Sequence, residues 1–176
     1  MKQELRLSGS GGQGLILGGI ILAEAALLDG KLAIQSQSYG PEARGGSSKS
    51  EVIISDDPIY FPKVNKPNMV LAMSQEACDK FTKDLGPDGT LVTDSLFVKN
   101  LPKDFKGKVL EIPITHTAKN ELGRALFANI IALGAIVKVT GIVSEESIIK
   151  AVLNRVPKGT EEKNTKAIKL GMSLIK

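Results

Sequence analysis

A chain of 176 residues, 42% hydrophobic and 24% charged, has the material for one soluble domain with a sizeable core, and no apolar run is long enough to cross a membrane. Its net charge of +4 comes from scattered lysines, and with only 4% aromatic residues there is little to stack bases on, which argues against a nucleic-acid partner. One cysteine, Cys78, and one histidine, His116, exclude an internal disulfide, a cysteine-held iron–sulfur cluster and a histidine-rich metal site.

The first predicted strand is Leu5 to Ser8, which is not a cationic leader, so the cytoplasm is the expected location. Gly9-Ser10-Gly11-Gly12-Gln13-Gly14 follows, and a helix runs from about Gln13 to Leu28. Glycines permit positive φ and carry no Cβ to hold a ligand away. The N–H groups at the helix start present the positive end of the helix dipole, so an anion, most often a phosphate, fits there. The spacing also satisfies G-x-G-x-x-G, the dinucleotide fingerprint. That fingerprint wants an acid about twenty residues on, at the end of the second strand. Leu32-Ala33-Ile34-Gln35-Ser36-Gln37 ends without one. A tight turn that lets helix pack on strand is the plainer reading of the same glycines.

Asp29-Gly30 closes the first helix, and Leu32 to Ser36 is the second strand. The stretch from Ser38 to Gly46, with three glycines and a proline, is a loop. Ser48 to Ser55 is a strand stopped by Asp56-Asp57-Pro58. The two aspartates are adjacent, point apart and form no acid–base pair. Met69 to Met73 is a strand, and Ser74 caps a helix ending near Leu85, with Cys78 early in it as a buried, inert thiol. Thr90 to Thr93 and Val109 to Ile114 are strands apolar enough to be covered on both faces. Helical spacing runs from about Ala118 to Thr140. Ser144 caps a further helix to about Arg155, and Thr160-Glu161-Glu162 starts the last one. The alternation predicts an α/β fold over residues 1–176 as one domain: a Rossmann-like, mostly parallel sheet with helices on both faces.

In such sheets ligands bind at the C-terminal edge of the strands. The glycine turn and the loop after the second strand share that edge, which brings Arg44 within reach of an anion at the turn. Candidate ligand-binding residues are therefore Gly9, Gly11, Gly12, Gln13, Gly14, Tyr39 and Arg44. Arg44, flanked by Gly45-Gly46, has room for a bidentate phosphate contact. It could equally meet a partner chain or pair with Glu42. Tyr39 stacks on an adenine, hydrogen-bonds across a subunit boundary or anchors its loop. Gln13 reaches a ligand oxygen or caps the helix. His116, at a strand end, belongs on the same edge but reads as structural. Asn129, in an apolar helix, needs a polar partner, which the loop after the last strand could supply.

Taken together, Gly9-x-Gly11-Gly12-Gln13-Gly14, Ser38-Tyr39-Gly40-Pro41-Glu42-Ala43-Arg44-Gly45-Gly46, Ile54-Ser55-Asp56-Asp57-Pro58-Ile59 and Ala128-Asn129-Ile130-Ile131-Ala132-Leu133-Gly134 resemble the gamma subunit of 2-oxoacid:ferredoxin oxidoreductases. The resemblance covers nearly the whole chain. The Tyr-Gly-Pro-Glu-x-Arg-Gly-Gly form looks most like the 2-oxoglutarate type. The resemblance implies oxidative decarboxylation of a 2-oxoacid with thiamine diphosphate, electron transfer through iron–sulfur clusters to ferredoxin, and acyl capture on coenzyme A. It also implies alpha, beta and delta-type partner subunits that carry the thiamine diphosphate and the clusters. No metal–diphosphate motif and no cysteine set stands in this sequence. The chain would thus be inactive alone and bind no cofactor tightly. Its glycine turn suits the remaining phosphate-bearing substrate, coenzyme A. The alternatives are a free-standing Rossmann-like nucleotide-binding oxidoreductase and an assembly scaffold that binds nothing.

Overall fold

Strand β1 (Lys2–Ser10) turns through glycines into helix α1 (Leu15–Leu28), and β2 (Leu32–Tyr39) and β3 (Ser47–Ser55) follow as a hairpin. The structure, a computed structural model, describes residues 1–39 and 46–176. Next come β4 (Met69–Ala72), α2 (Gln75–Phe81), β5 (Thr90–Asp94), β6 (Lys108–Ile112) and α3 (Ile114–Leu122). A short 3₁₀ turn, Ala125–Phe127, leads into α4 (Ala128–Thr140), and α5 (Glu145–Leu153) and α6 (Glu161–Ser173) complete the order.

The six strands form one sheet in the order β2-β3-β1-β4-β5-β6. β1, β4, β5 and β6 are parallel neighbours, while β3 is antiparallel to both β1 and β2. Only β3 therefore opposes the rest, and the expected mostly parallel α/β sheet is present. Alternation along the central strands splits the core. Leu5, Leu7, Met69, Leu71 and Val92 face α1, α3, α4, α5 and α6. Val70, Ala72 and Leu91 face α2 and the segment around Val98 on the other side. Strands sandwiched in this way read as near-continuous apolar runs.

Several boundaries differ from the sequence expectation, each for a tertiary reason. β1 extends through Gly9 and Ser10 because both pair with β3. β2 likewise runs on to Tyr39, opposite Ser48, so Ser38 and Tyr39 are strand and not loop. α2 ends at Phe81, not near Leu85, where the Arg6 guanidinium takes the Phe81 carbonyl at 2.9 Å. β6 stops at Ile112, and Ile114 and Thr115 already belong to α3. The long helical stretch breaks at Gly123, which caps α3 at φ 78, a conformation favouring glycine.

The side of the sheet beneath α2 holds an ion network in which Arg6 and Glu51 are buried and Asp84 is exposed. Arg6 sits between Leu5 and Leu7 and so points away from the main core. It binds Asp84 through both terminal nitrogens and approaches Glu51 at 3.5 Å. Burial opposes the charge on Asp84, yet the hydrogen bonds and charge of Arg6 hold its carboxyl below the usual range.

Candidate functional site

The glycine turn lies at the C-terminal edge of the parallel strands, as expected. Gly12 (φ 87) and Gly14 (φ 74) adopt left-handed backbone. Gly14 is the N-cap of α1, and no side chain caps that helix. The first-turn N–H groups of α1 have no intrahelical acceptor, and no acidic residue stands among them. A Cβ at Gly12 would meet nothing within 4 Å, so this part of the turn is open.

The other turn residues serve the fold. A Cβ on Gly9 would lie 2.2 Å from Gln13 Oε1, so the bare glycine lets the Gln13 side chain lie over the strand end. Gln13 Oε1 accepts from the Ser10 N–H at 2.7 Å, and its Nε2 donates to the Met73 carbonyl at 3.1 Å. Gln13 thus spends its amide bracing β1 against β4. The Gly11 N–H donates to the Gly46 carbonyl at 2.9 Å. That bond ties the end of the β2–β3 connection to the glycine turn and puts both on one edge. Tyr39 closes β2 opposite Ser48. Arg44, two residues before Gly46, lies outside the described residues.

The turn forms one wall of a cleft of about 290 Å³. Gly12, Gln13 and Gly14 face Thr115 and Lys119 of α3, Asn129 of α4, and the apolar side chains of Phe97 and Leu126. Phe97 and Leu126 are large and partly exposed, so the cleft has an apolar lip. Lys119 is exposed, and among the described residues no carboxylate lies within ion-pair distance of it.

Asp94 holds two parts of this wall. It is fully buried at the end of β5. Its Oδ2 accepts from the Thr115 N–H at 3.1 Å and from the Thr115 hydroxyl at 2.5 Å, and its Oδ1 accepts from the Leu96 N–H at 3.1 Å. One carboxylate therefore fixes the start of α3 and the turn carrying Phe97. Asn129 donates from Nδ2 to the Gly14 carbonyl at 3.2 Å. Its partner is thus the glycine turn after the first strand, not the loop after the last strand. His116, read from the sequence as following a strand end, sits instead in the first turn of α3, exposed, with Nε2 2.8 Å from Asn120 Nδ2. Sequence reasoning missed Asp94, Thr115 and Lys119. An acid at the last position of a parallel strand, followed by a turn, was the one available signal.

Chemically, the cleft offers helix N–H groups, one ammonium and an apolar lip. That combination suits a phosphate or carboxylate attached to a less polar group. Among the described residues no group of three His, Cys, Asp or Glu gathers as metal ligands, and no helix is long and apolar enough to cross a membrane. The dinucleotide arrangement is absent: β3 separates β2 from β1, so the strand after α1 does not adjoin the glycine strand.

Known proteins share this architecture. The family described as pyruvate ferredoxin/flavodoxin oxidoreductase matches residues 4–174. A 2-oxoglutarate synthase subunit KorC from Methanocaldococcus jannaschii is 51% identical, over 100% of this chain and 95% of its own length. The gamma subunit of a keto/oxoacid ferredoxin oxidoreductase from Geobacter sulfurreducens superimposes with a TM-score of 0.91 at 51% identity, over 99% of this chain and 96% of that one. The fold alone recurs, at TM-score 0.88 and 22% identity, in 31% of a longer chain: 2-oxoglutarate:ferredoxin oxidoreductase from Magnetococcus marinus, with 2-oxoglutarate, coenzyme A and succinyl-CoA bound. The chain belongs to the pyruvate ferredoxin/flavodoxin oxidoreductase family and is a gamma-type subunit of a 2-oxoacid:ferredoxin oxidoreductase.

Proposed function

We propose that the chain works in a complex that converts 2-oxoglutarate, coenzyme A and oxidised ferredoxin to succinyl-CoA, carbon dioxide and reduced ferredoxin, and that its cleft holds the phosphates of coenzyme A. The substrate assignment rests on the KorC relative and on the Tyr39-to-Gly46 sequence. The phosphate assignment rests on one observation: an uncapped α1 N-terminus opens onto a cleft whose one lysine, Lys119, is unpaired among the described residues. Gly12 and Gly14 offer bare backbone, and Gly9, Gly11 and Gln13 hold the turn in shape. Tyr39 and Arg44 are the sequence's candidates for further contacts from the β2–β3 connection.

No metal–diphosphate motif for thiamine diphosphate stands in this sequence, and an iron–sulfur cluster does not fit this chain. Its single thiol is buried, and burial, with Asp79 adding, pushes it up to about 11, far from the thiolate a cluster needs. Those groups belong to alpha, beta and delta-type partners, and ferredoxin meets the complex through them. Residues 1–176 act as one gamma-type domain in the cytoplasm. The domain's own task is to neutralise phosphate charge and hold the nucleotide end of coenzyme A, leaving the thiol free to reach a partner's acyl group.

The test is steady-state kinetics of the reconstituted complex. One charge-assisted contact is worth about 1.5–3 kcal/mol, so Lys119→Ala raises the KM for coenzyme A by roughly ten- to a hundredfold. The KM for 2-oxoglutarate stays as it was, and Lys119→Arg keeps most of the affinity. Arg44→Ala behaves likewise if Arg44 adds a second cation, whereas complex dissociation with unchanged coenzyme A kinetics would make it an interface residue. Unchanged coenzyme A kinetics in the Lys119→Ala complex would remove the cleft as its phosphate site.

A further inference from the structure

Two helix starts line the cleft, and neither is capped from its own sequence. Gly14 precedes α1, and Pro113, which holds the cap position of α3, supplies no side-chain acceptor. The two are nonetheless treated differently. α1 is left open, whereas α3 is closed by Asp94, which reaches it from the end of β5, 21 positions back in the chain. Val92 faces the main core, and alternation along β5 points Asp94 to the same side of the sheet.

This is a costly way to cap a helix. A serine or threonine at the cap position would satisfy an N–H of the first turn with a neutral oxygen. Asp94 is instead a fully buried carboxylate, and among the described residues no cation lies within ion-pair distance of it. Such a charge opposes folding unless hydrogen bonds replace its water. A local cap, however, ties a helix to nothing else. Asp94 joins Thr115 to the Leu96 N–H, and its backbone carbonyl accepts from the N–H groups of Phe97 and Val98 at 3.1 and 2.9 Å. Lys119 stands four residues beyond Thr115, on the same face of α3, so the place of its ammonium follows from where α3 starts.

We infer that Asp94 is a positioning residue for coenzyme A, setting the Lys119 ammonium and the Phe97 lip against the open start of α1. The inference rests on the coenzyme A reading of the cleft. Asp94 is fully buried and is not itself a wall of the cleft, so it acts through Thr115 and Leu96. A buried carboxylate could act in one other way, as a like charge near the phosphates, and the two roles predict opposite signs. Positioning makes Asp94→Asn bind coenzyme A more weakly, because an amide turns one of its two ends, an N–H donor, toward a donor. Charge alone makes the same variant bind more tightly, because a repulsion has gone.

Steady-state kinetics of the reconstituted complex tests it. Asp94→Asn raises the KM for coenzyme A by about tenfold, more than it lowers kcat at saturating coenzyme A, and leaves the KM for 2-oxoglutarate as it was. Thr115→Val keeps every charge and loses only the hydroxyl bond, and it raises the same KM by about threefold or more. Thr115→Ser restores it. Asp29→Asn removes a carboxylate that caps α5, at the far end of α1 from the glycine turn, and as the control for lost stability it leaves the KM unchanged. Where Asp94→Asn fails to assemble, Thr115→Val and Thr115→Ser carry the test. A lower KM in Asp94→Asn, an unchanged KM in Thr115→Val, or a rise that Asp29→Asn shares overturns the inference. Lys119→Ala separates it from the reading beneath it. A KM raised by Lys119→Ala but by neither the Asp94 nor the Thr115 variant defeats the positioning role alone, and a KM raised by none of them defeats both.

Discussion

Cys78 and Asp29 show two opposite effects of the surroundings on a titratable group. Cys78 lies on the buried face of α2, and with burial and Asp79 raising it to about 11 the thiol is protonated at neutral pH. Iodoacetamide at pH 7 should leave the native chain unlabelled and label it fully in denaturant, by mass spectrometry. Fast native labelling would mean that α2 opens readily. Asp29 closes α1 and accepts hydrogen bonds from the Ser144 N–H, the Ser144 hydroxyl and the Ser147 hydroxyl at the start of α5. Burial raises its carboxyl, but those bonds and Lys31 outweigh it and the net shift is downward. A depressed folded value means the contribution to stability is complete above the unfolded carboxylate range, about pH 4, and is lost as pH falls through the folded value. Asp84 shifts the same way through Arg6 and adds to the effect. The urea midpoint should therefore drop between about pH 5 and about pH 3, and Asp29→Asn should flatten that drop. An equally steep loss in the variant would place the acid sensitivity elsewhere.

Among the elements, the pairing of α4 with α6 depends on absent side chains. A Cβ on Gly171 would lie 1.9 Å from the Ile131 carbonyl, and one on Gly134 would lie 2.1 Å from the Ile168 carbonyl. Both obstacles are backbone, which cannot swing aside, so the two helices cross at glycine distance. Gly171→Ala should cost about 1–3 kcal/mol through forced separation, despite alanine's better helix propensity. At this chain length that is a fall in Tm of roughly 2–4 °C per kcal/mol by calorimetry, and a rise in Tm would refute the close crossing. The sequence made α4 legible as a small-residue core helix and the glycine turn legible as a strand–turn–helix. It also showed the strand, loop and strand that make the β2–β3 hairpin, although not that β3 opposes every other strand. The rest of the cleft was hidden for a physical reason. Asp94, Lys119 and Asn129 come from three elements, and the Asn129 bond to Gly14 spans 115 positions. No local period encodes such a bond, so the sequence could say that Asn129 needs a partner but not which one.

At the scale of the whole molecule, the described residues concentrate binding features at one sheet edge and provide no redox group beyond an enclosed thiol. An oxidation needs somewhere for two electrons to go, and Cys78 is single, buried and protonated. The purified chain should therefore show no oxidation of 2-oxoglutarate or pyruvate when supplied with thiamine diphosphate, coenzyme A and a viologen acceptor. It should still bind coenzyme A weakly, because α1, Lys119 and the apolar lip belong to this chain and the turn is braced from within by Gln13 and Asn129. Thermal shift with coenzyme A, NAD and NADP then separates the readings. A rise with coenzyme A alone fits a phosphate site made for that substrate, whereas equal rises with all three reduce the cleft to a general phosphate trap. No rise with any of them leaves a scaffold whose site is completed only by its partners. Viologen reduction by the isolated chain is the outcome that would defeat the division of labour outright, since it would require an electron path that one buried thiol does not offer.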